Sequence, residues 1–286
     1  MANQSLPCTL LITGCSSGIG RATALLFAEK GWRVFATVRK TADVEKLRVL
    51  KKDNIVPVLV DIADAASITA LRIELHEQLE SSGLHLLVNN AAFSELCPLE
   101  YADNAHIHQH FDTNVVGTMQ MIRAFLPYIK PVQGRIVNLS SGAGVLATPL
   151  MSVYSATKFA VEGLSDALRP ELRQVGVSIV LVEPGFINTE IHDKLEASNA
   201  GIEAKLGEAG WQYYSKSITQ NSEMSARLRK TAPGAESVAK VIYRAAIASR
   251  PKARYTAGSD ARMLILLAPL LTARLRDWMW RGILKL

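Results

Sequence analysis

Thr13-Gly14-Cys15-Ser16-Ser17-Gly18-Ile19-Gly20 decides how the rest of this chain is read. It follows a short apolar run, residues 8–13, and opens a helix-length segment at 21–30. Glycines let the backbone turn sharply there and let a ligand approach it closely. The free N–H groups and positive end of the following helix then favour a phosphate. Standing alone, such a triad is an ordinary tight turn. Between a strand and a helix it reads as a dinucleotide cradle, with Gly14, Ser16, Ser17, Gly18, Ile19 and Gly20 around the pyrophosphate. Three residues separate the first two glycines, where the common fingerprint has one.

Outward from this turn, Val- and Ile-rich runs alternate with amphipathic segments. Strands are expected at 8–13, 33–37, 55–60, 84–89, 135–139, 177–182 and, more weakly, 254–257. In segment 64–81, Ile68, Leu71, Leu75 and Leu79 fall on one helical face. Strands apolar on both sides and separated by helices predict a parallel sheet covered on each face. The fold class is therefore α/β, a single-domain, doubly wound Rossmann-type parallel sheet of about seven strands, with ligands at the carboxyl ends. Two regions break the alternation. Residues 190–232 read as a substrate loop or lid, and 260–286 as a basic, apolar C-terminal extension.

The bulk numbers exclude several classes. With 286 residues, 49% hydrophobic and 20% charged, the chain can bury a sizeable core. Of its net charge of +6, residues 251–286 contribute +5, from seven basic and two acidic side chains. No broad basic face is left for nucleic acid. The first residues lack the basic start of a signal peptide, and Cys8, Cys15 and Cys97 lack metal-ligand spacing. A reduced, cytoplasmic protein is expected. His106, His108 and His110 place two rings on one helical face, but ordinary packing or surface roles are expected, with no metal.

The second strand ends Ala36-Thr37-Val38-Arg39-Lys40, without the carboxylate that would accept the ribose hydroxyls of NAD(H). Arg39 can instead fork onto a 2′-phosphate, so NADP(H) is expected over NAD(H). Further on, Ser140-Ser141 precedes Tyr154-Ser155-Ala156-Thr157-Lys158. Tyr154 and Lys158, four apart, share a helix face, where an ammonium would favour the phenolate. Ser141, 13 residues before Tyr154, stands at a strand end where it can hydrogen-bond a substrate oxygen. The combination points to proton transfer by Tyr154 beside a nicotinamide that transfers hydride.

Together these motifs resemble the short-chain dehydrogenase/reductase family over roughly residues 8–190. The resemblance implies a tetrad of Asn114, Ser141, Tyr154 and Lys158, with Asn114 holding a water that links Lys158 to a proton relay. It also implies that Asp61 and Ile62 contact adenine. By the same resemblance Asn90 and Ala91 would lie along the cofactor, as would Tyr154 and Lys158. Pro184, Gly185, Ile187 and Thr189 would surround the nicotinamide. Asn89-Asn90-Ala91-Ala92 departs from the family's Asn-Asn-Ala-Gly, so Ala92 could crowd the cofactor or strain the backbone.

The chain end, with Ala36-Thr37-Val38-Arg39 and Glu183-Pro184-Gly185, looks like the hydroxysteroid and retinol dehydrogenase branch. The implied substrate is a small hydrophobic alcohol or its ketone or aldehyde. A 3-oxoacyl thioester reductase and a non-catalytic NADP-binding sensor are the alternatives. The resemblance further implies a homodimer or homotetramer, paired through helices around 104–129 and 153–174. For residues 260–286, packing onto the domain is preferred over peripheral contact with a membrane, and the nine residues 263–271 are too few to span one.

Overall fold

Seven strands form one parallel sheet in the order β3-β2-β1-β4-β5-β6-β7 in the computed structural model. They are β1 Thr9–Ile12, β2 Arg33–Val38, β3 Ile55–Leu59, β4 Leu86–Asn89, β5 Arg135–Leu139, β6 Ser178–Pro184 and β7 Arg254–Ala257. The structure describes residues 7–190, 201–258, 262, 263, 265 and 267–284. All seven expected strands are present, and every neighbouring pair runs parallel. The order reverses between β1 and β4, so a crevice opens above their carboxyl ends, where this architecture binds ligands.

Alternation along each strand feeds two cores. Leu10, Ile12, Val34, Ala36, Val180 and Val182 face α1 (Gly18–Glu29) and the helix Ala235–Ile247. Leu11, Phe35, Ile136 and Ile179 face α3 (Ala65–Glu74), α6 (Gly117–Ile129) and α7 (Ser152–Arg173). A short α2 (Thr41–Arg48) joins β2 to β3. The single helix expected over 64–81 is divided at Leu75 into α3 and α4 (His76–Ser82), yet Ile68, Leu71, Leu75 and Leu79 are all buried as the spacing requires. Between α5 (Asn104–Phe111) and α6 the chain makes a π-helical turn, Asp112–Val116. Such turns carry an extra residue per bulge and often mark functional positions. Here it turns Asn114 inward.

One expectation is corrected. Most of the segment read as a loop is α8, Ile202–Arg229, kinked where Gly207 adopts φ 63° and ψ 179°. Ile202, Leu206, Gly210, Ser217 and Ile218 are its buried positions. The polar residues between them hid that helical face. Ile202, Leu206 and Ile218 join Leu96 and Leu150 in a small separate core over the carboxyl edge of the sheet. Residues 191–200 of that segment lie outside the described residues. After α9 (Ala235–Ile247) and β7, the C-terminal helix α10 (Ala273–Leu284) packs against α8 and buries Leu284. Asp260, Ala261, Leu264, Leu266, Lys285 and Leu286 of the extension also lie outside the described residues.

Candidate active site

The glycine turn sits at the crevice. Gly14 (φ 74°) and Gly18 (φ 55°) use backbone conformations that suit glycine. A Cβ on Gly20 would come 2.1 Å from the Gly14 carbonyl oxygen, so helix and turn touch backbone to backbone. The turn is tied to both flanking strands. Cys15 N–H donates to Thr37 O at 2.7 Å, and the Asn90 side-chain amide donates to Thr13 O at 2.7 Å. Thr13 Oγ1 in turn accepts from the N–H groups of Asn90 and Ala91, each at 2.9 Å. Asn90 and Ala91 thus fix the cradle itself. Ser16, Ser17 and Ile19 are half-buried along it.

An anion already marks the helix end. Glu190 Oε2 accepts a hydrogen bond from Gly18 N–H at 2.8 Å, as expected where N–H groups and the helix dipole converge. Thr189 lies against Gly18, 3.4 Å from where a Cβ would stand. The Pro184–Thr189 segment is therefore brought to the turn across the crevice. It is held there by Gly185 N–H to Ala257 O at 2.8 Å and Asn188 N–H to Pro233 O at 2.9 Å. Pro184 and Ile187 are buried. The open turn, the backbone donors and the accepted carboxylate fit a pyrophosphate.

The turn after β3 is equally ordered. Asp61 Oδ1 accepts from Ala63 N–H at 3.0 Å, and buried Ile62 presses its carbonyl against Gly117. Arg39 and Lys40 follow β2 at the rim and are exposed. Ala92 is absent from the non-glycine residues with positive φ, which among the described residues are Lys51, Gln133 and Leu150. The departure at Ala92 carries no left-handed backbone strain.

Ser141 lies two residues beyond β5 in extended backbone, and its Oγ accepts from Ala143 N–H at 3.2 Å. Leu150, at φ 65°, lies in the stretch that carries the chain from Ser141 to α7. The first turn of α7 brings half-buried Tyr154 to Ser141, with which its phenol shares a hydrogen bond. Lys158 is buried one turn on, its Nζ donating to Leu139 O at 2.8 Å and lying 5.7 Å from the Tyr154 ring centroid. The three side chains meet as the spacing implied.

Their electrostatics differ from the simple expectation. Burial raises the Tyr154 phenol above its ordinary value, and the Ser141 hydrogen bond pulls it back only in part. Burial also depresses the Lys158 ammonium to about 8, against an opposing pull from Glu162. Lys158 Nζ is engaged by the Leu139 carbonyl, with the tyrosine ring centroid 5.7 Å away.

Asn114 is buried, and its side chain is fully engaged. Its Oδ1 accepts from Phe93 N–H at 2.7 Å, while Nδ2 donates to Phe93 O at 2.8 Å and to Thr157 Oγ1 at 3.0 Å. It clamps the segment after β4 to α7. His106 and His110 pack on Phe93, with ring centroids 6.4 and 4.5 Å away, and His106 Nδ1 lies 3.0 Å from Glu95. Among the described residues no group of three His, Cys, Asp or Glu is arranged to hold a metal.

Sequence reasoning missed Thr13, Thr157 and Glu190. Thr13 and Thr157 act through single hydroxyls with no pattern to find. Glu190 lies 172 residues from its partner Gly18.

A Rossmann-type sheet with a glycine cradle and an adjacent Ser, Tyr and Lys defines a dinucleotide-dependent oxidoreductase. A model of short chain dehydrogenases matches residues 8–200. The NADPH-dependent 3-dehydrocapnine reductase of Ornithobacterium rhinotracheale is 31% identical over 272 residues, covering 93% of this chain and 94% of that protein. Human retinol dehydrogenase 5 is 31% identical over 285 residues, covering 96% and 89%. A short chain dehydrogenase/reductase from Burkholderia phymatum, solved in complex with NAD, superimposes with a TM-score of 0.73 at 27% identity, covering 92% and 93%. The chain belongs to the short-chain dehydrogenase/reductase family and is an oxidoreductase of that type.

Proposed function

We propose that the protein interconverts a hydrophobic alcohol and its ketone or aldehyde, using NADP(H). The observation that carries this is the meeting of Ser141, Tyr154 and Lys158 beside the glycine turn, with Thr189 closing against Gly18. The nicotinamide, when bound, supplies or accepts the hydride. Ser141 Oγ hydrogen-bonds the substrate oxygen and holds it at the Tyr154 hydroxyl. Tyr154 gives that oxygen its proton in reduction and removes it in oxidation. Lys158 supplies the positive charge that the developing phenolate needs. Asn114 keeps Phe93 and α7 in register.

The Gly14–Gly20 turn holds the pyrophosphate, Asp61 and Ile62 meet the adenine, and Pro184, Gly185, Ile187 and Thr189 frame the nicotinamide. Exposed Arg39, with no carboxylate beside it, supports NADP(H) over NAD(H). The name of the Ornithobacterium reductase agrees with NADP(H), and that of human retinol dehydrogenase 5 with a lipophilic substrate. Substrate enters beneath α8, where Tyr101, Trp211 and Tyr214 pack on the apolar group of Leu96, Leu150 and Ile218. The test is NADPH oxidation with all-trans-retinal, a steroid ketone and a short-chain ketone. Turnover of the lipophilic carbonyls above the short one is expected. Cofactor binding without oxidation of any of the three contradicts a carbonyl reductase.

Two surfaces extend this reading. Val116, Met119 and Phe159 are exposed on the helices expected to pair copies of the chain, which supports a homodimer or homotetramer. On α10 the face opposite α8 carries Leu275, Trp278 and Ile283 beside Arg274 and Arg281, and Trp278 is 72% exposed. An apolar stripe flanked by arginines fits an anionic lipid surface. No helix of the described residues is long and apolar enough to cross a membrane. Co-sedimentation with phosphatidylserine vesicles is expected for the wild type and lost in W278E; equal recovery of both removes the lipid contact.

A further inference from the structure

The spacing that joins Tyr154 to Lys158 continues along α7. Glu162 stands one turn beyond Lys158 and Asp166 one turn beyond that. Across from them, at the end of β6, is Glu183. The side chains of Glu162 and Glu183 are 10% and 1% exposed, so two carboxyl groups are buried behind the catalytic lysine. Arg254 of β7 serves all three acids. Its Nη2 is 2.7 Å from Asp166 Oδ2 and 3.0 Å from Glu162 Oε2, and its Nε is 3.2 Å from Glu162 Oε2 and 3.3 Å from Glu183 Oε1. Arg169 takes the other Asp166 oxygen at 2.8 Å.

This arrangement distributes charge unequally. Among the described residues, no hydrogen-bond donor reaches Glu162 Oε1 or either oxygen of Glu183. Two buried carboxylates in this position are costly, unless one of them carries a proton and donates it to the other. Burial first, and then the charge of Glu162, push the Glu183 carboxyl up to about 7, with Arg254 opposing. Arg254 donates two hydrogen bonds to Glu162 Oε2, through Nε and Nη2. Side chains on a helix lean toward its amino end, so the Glu162 carboxylate covers the turn that carries Lys158. Its charge opposes the burial that depresses the Lys158 ammonium.

Among the described residues, Glu162 is the charged group whose field acts on Lys158. β5 offers Lys158 the Leu139 carbonyl. The π-helical turn meets α7 through Asn114 and Thr157. The rings of His106 and His110 on α5 turn to Phe93.

We propose that Glu162 is a positioning residue for the Tyr154–Lys158 pair: held by Arg254 and capped by Glu183, its buried carboxylate keeps the Lys158 ammonium charged at the catalytic face. This rests on the roles given to Tyr154 and Lys158 above. Removing one unit charge a helical turn away moves a buried ammonium by about one pH unit. The sign is downward, because losing the anion favours the neutral amine.

Full-length protein labelled with carbon-13 at lysine Cε reads this without any substrate. The wild type is expected to show one lysine with a midpoint near 8, absent from K158R. In E162Q that midpoint falls by about one pH unit, and in E162D, whose carboxylate is withdrawn, by less. An unmoved midpoint in E162Q overturns the proposal. If E162Q does not fold, an unmoved midpoint in E162D does the same. A role limited to packing lowers thermal stability in these variants and leaves the midpoint in place. Failure of the underlying assignment is seen separately, as turnover retained by Y154F.

Discussion

The two halves of the crevice are built from different materials. Around β1 and β4 the surface is mainly backbone: the turn's own N–H groups, the Gly14 carbonyl against Gly20, and Thr13 Oγ1 accepting from two consecutive amides. Around α8 it is side chains, with Tyr101, Trp211 and Tyr214 on an apolar cluster that belongs to neither main core. A backbone cradle recognises a group every dinucleotide shares, and one methyl can ruin it. A side-chain wall set apart from the two main cores can be rebuilt while the sheet stays intact. In the proposed function, cofactor binding and substrate choice are thereby carried by separable parts of one fold.

The largest expected effect comes from adding a methyl to the backbone half. Gly20→Ala places a Cβ 2.1 Å from Gly14 O. NADPH affinity, measured by fluorescence titration, should fall about a hundredfold as turn and helix are forced apart. Gly163→Ala on α7, where a Cβ meets nothing within 4 Å, should leave it unchanged. Equal behaviour of the two would dissolve the contrast between cradle and scaffold.

At the rim, Arg39→Asp replaces the proposed partner of the 2′-phosphate with a carboxylate that repels it. Affinity for NADPH should drop about tenfold or more while NADH binding holds or improves. An unchanged preference removes Arg39 from cofactor choice.

The smallest effect belongs to Glu190, whose carboxylate occupies the Gly18 N–H that a pyrophosphate oxygen would use. Glu190→Gln should tighten NADPH about two- to threefold, because a competing anion at the helix end is gone. Weaker binding would show that Glu190 supports the cofactor site.

Legibility follows the same division. The strands, the cradle and the Ser141, Tyr154 and Lys158 constellation could be read because backbone turns demand glycine and helices impose a spacing of four. The helix α8 could not, since its buried positions are few, include Gly210 and Ser217, and straddle the kink at Gly207. The electrostatic surroundings of Tyr154 and Lys158 are hidden for another reason. Spacing places Lys158 beside Tyr154, but only coordinates show the ammonium turned to Leu139 O and weakened by burial. Glu162 was within reach, one more step along the same helical stripe. Its partners Glu183 and Arg254 lie on two other elements, and only the sheet brings them together.

The central claim is that Tyr154 moves the proton while the cradle binds the cofactor independently of it. Tyr154→Phe in the full-length protein, with NADPH binding and NADPH-driven reduction of all-trans-retinal measured on the same preparation, tests both parts. Turnover should fall by about two to four orders of magnitude while NADPH affinity stays within about threefold of wild type. Reduction by the variant at a rate close to wild type would contradict the assignment of Tyr154 as the proton donor.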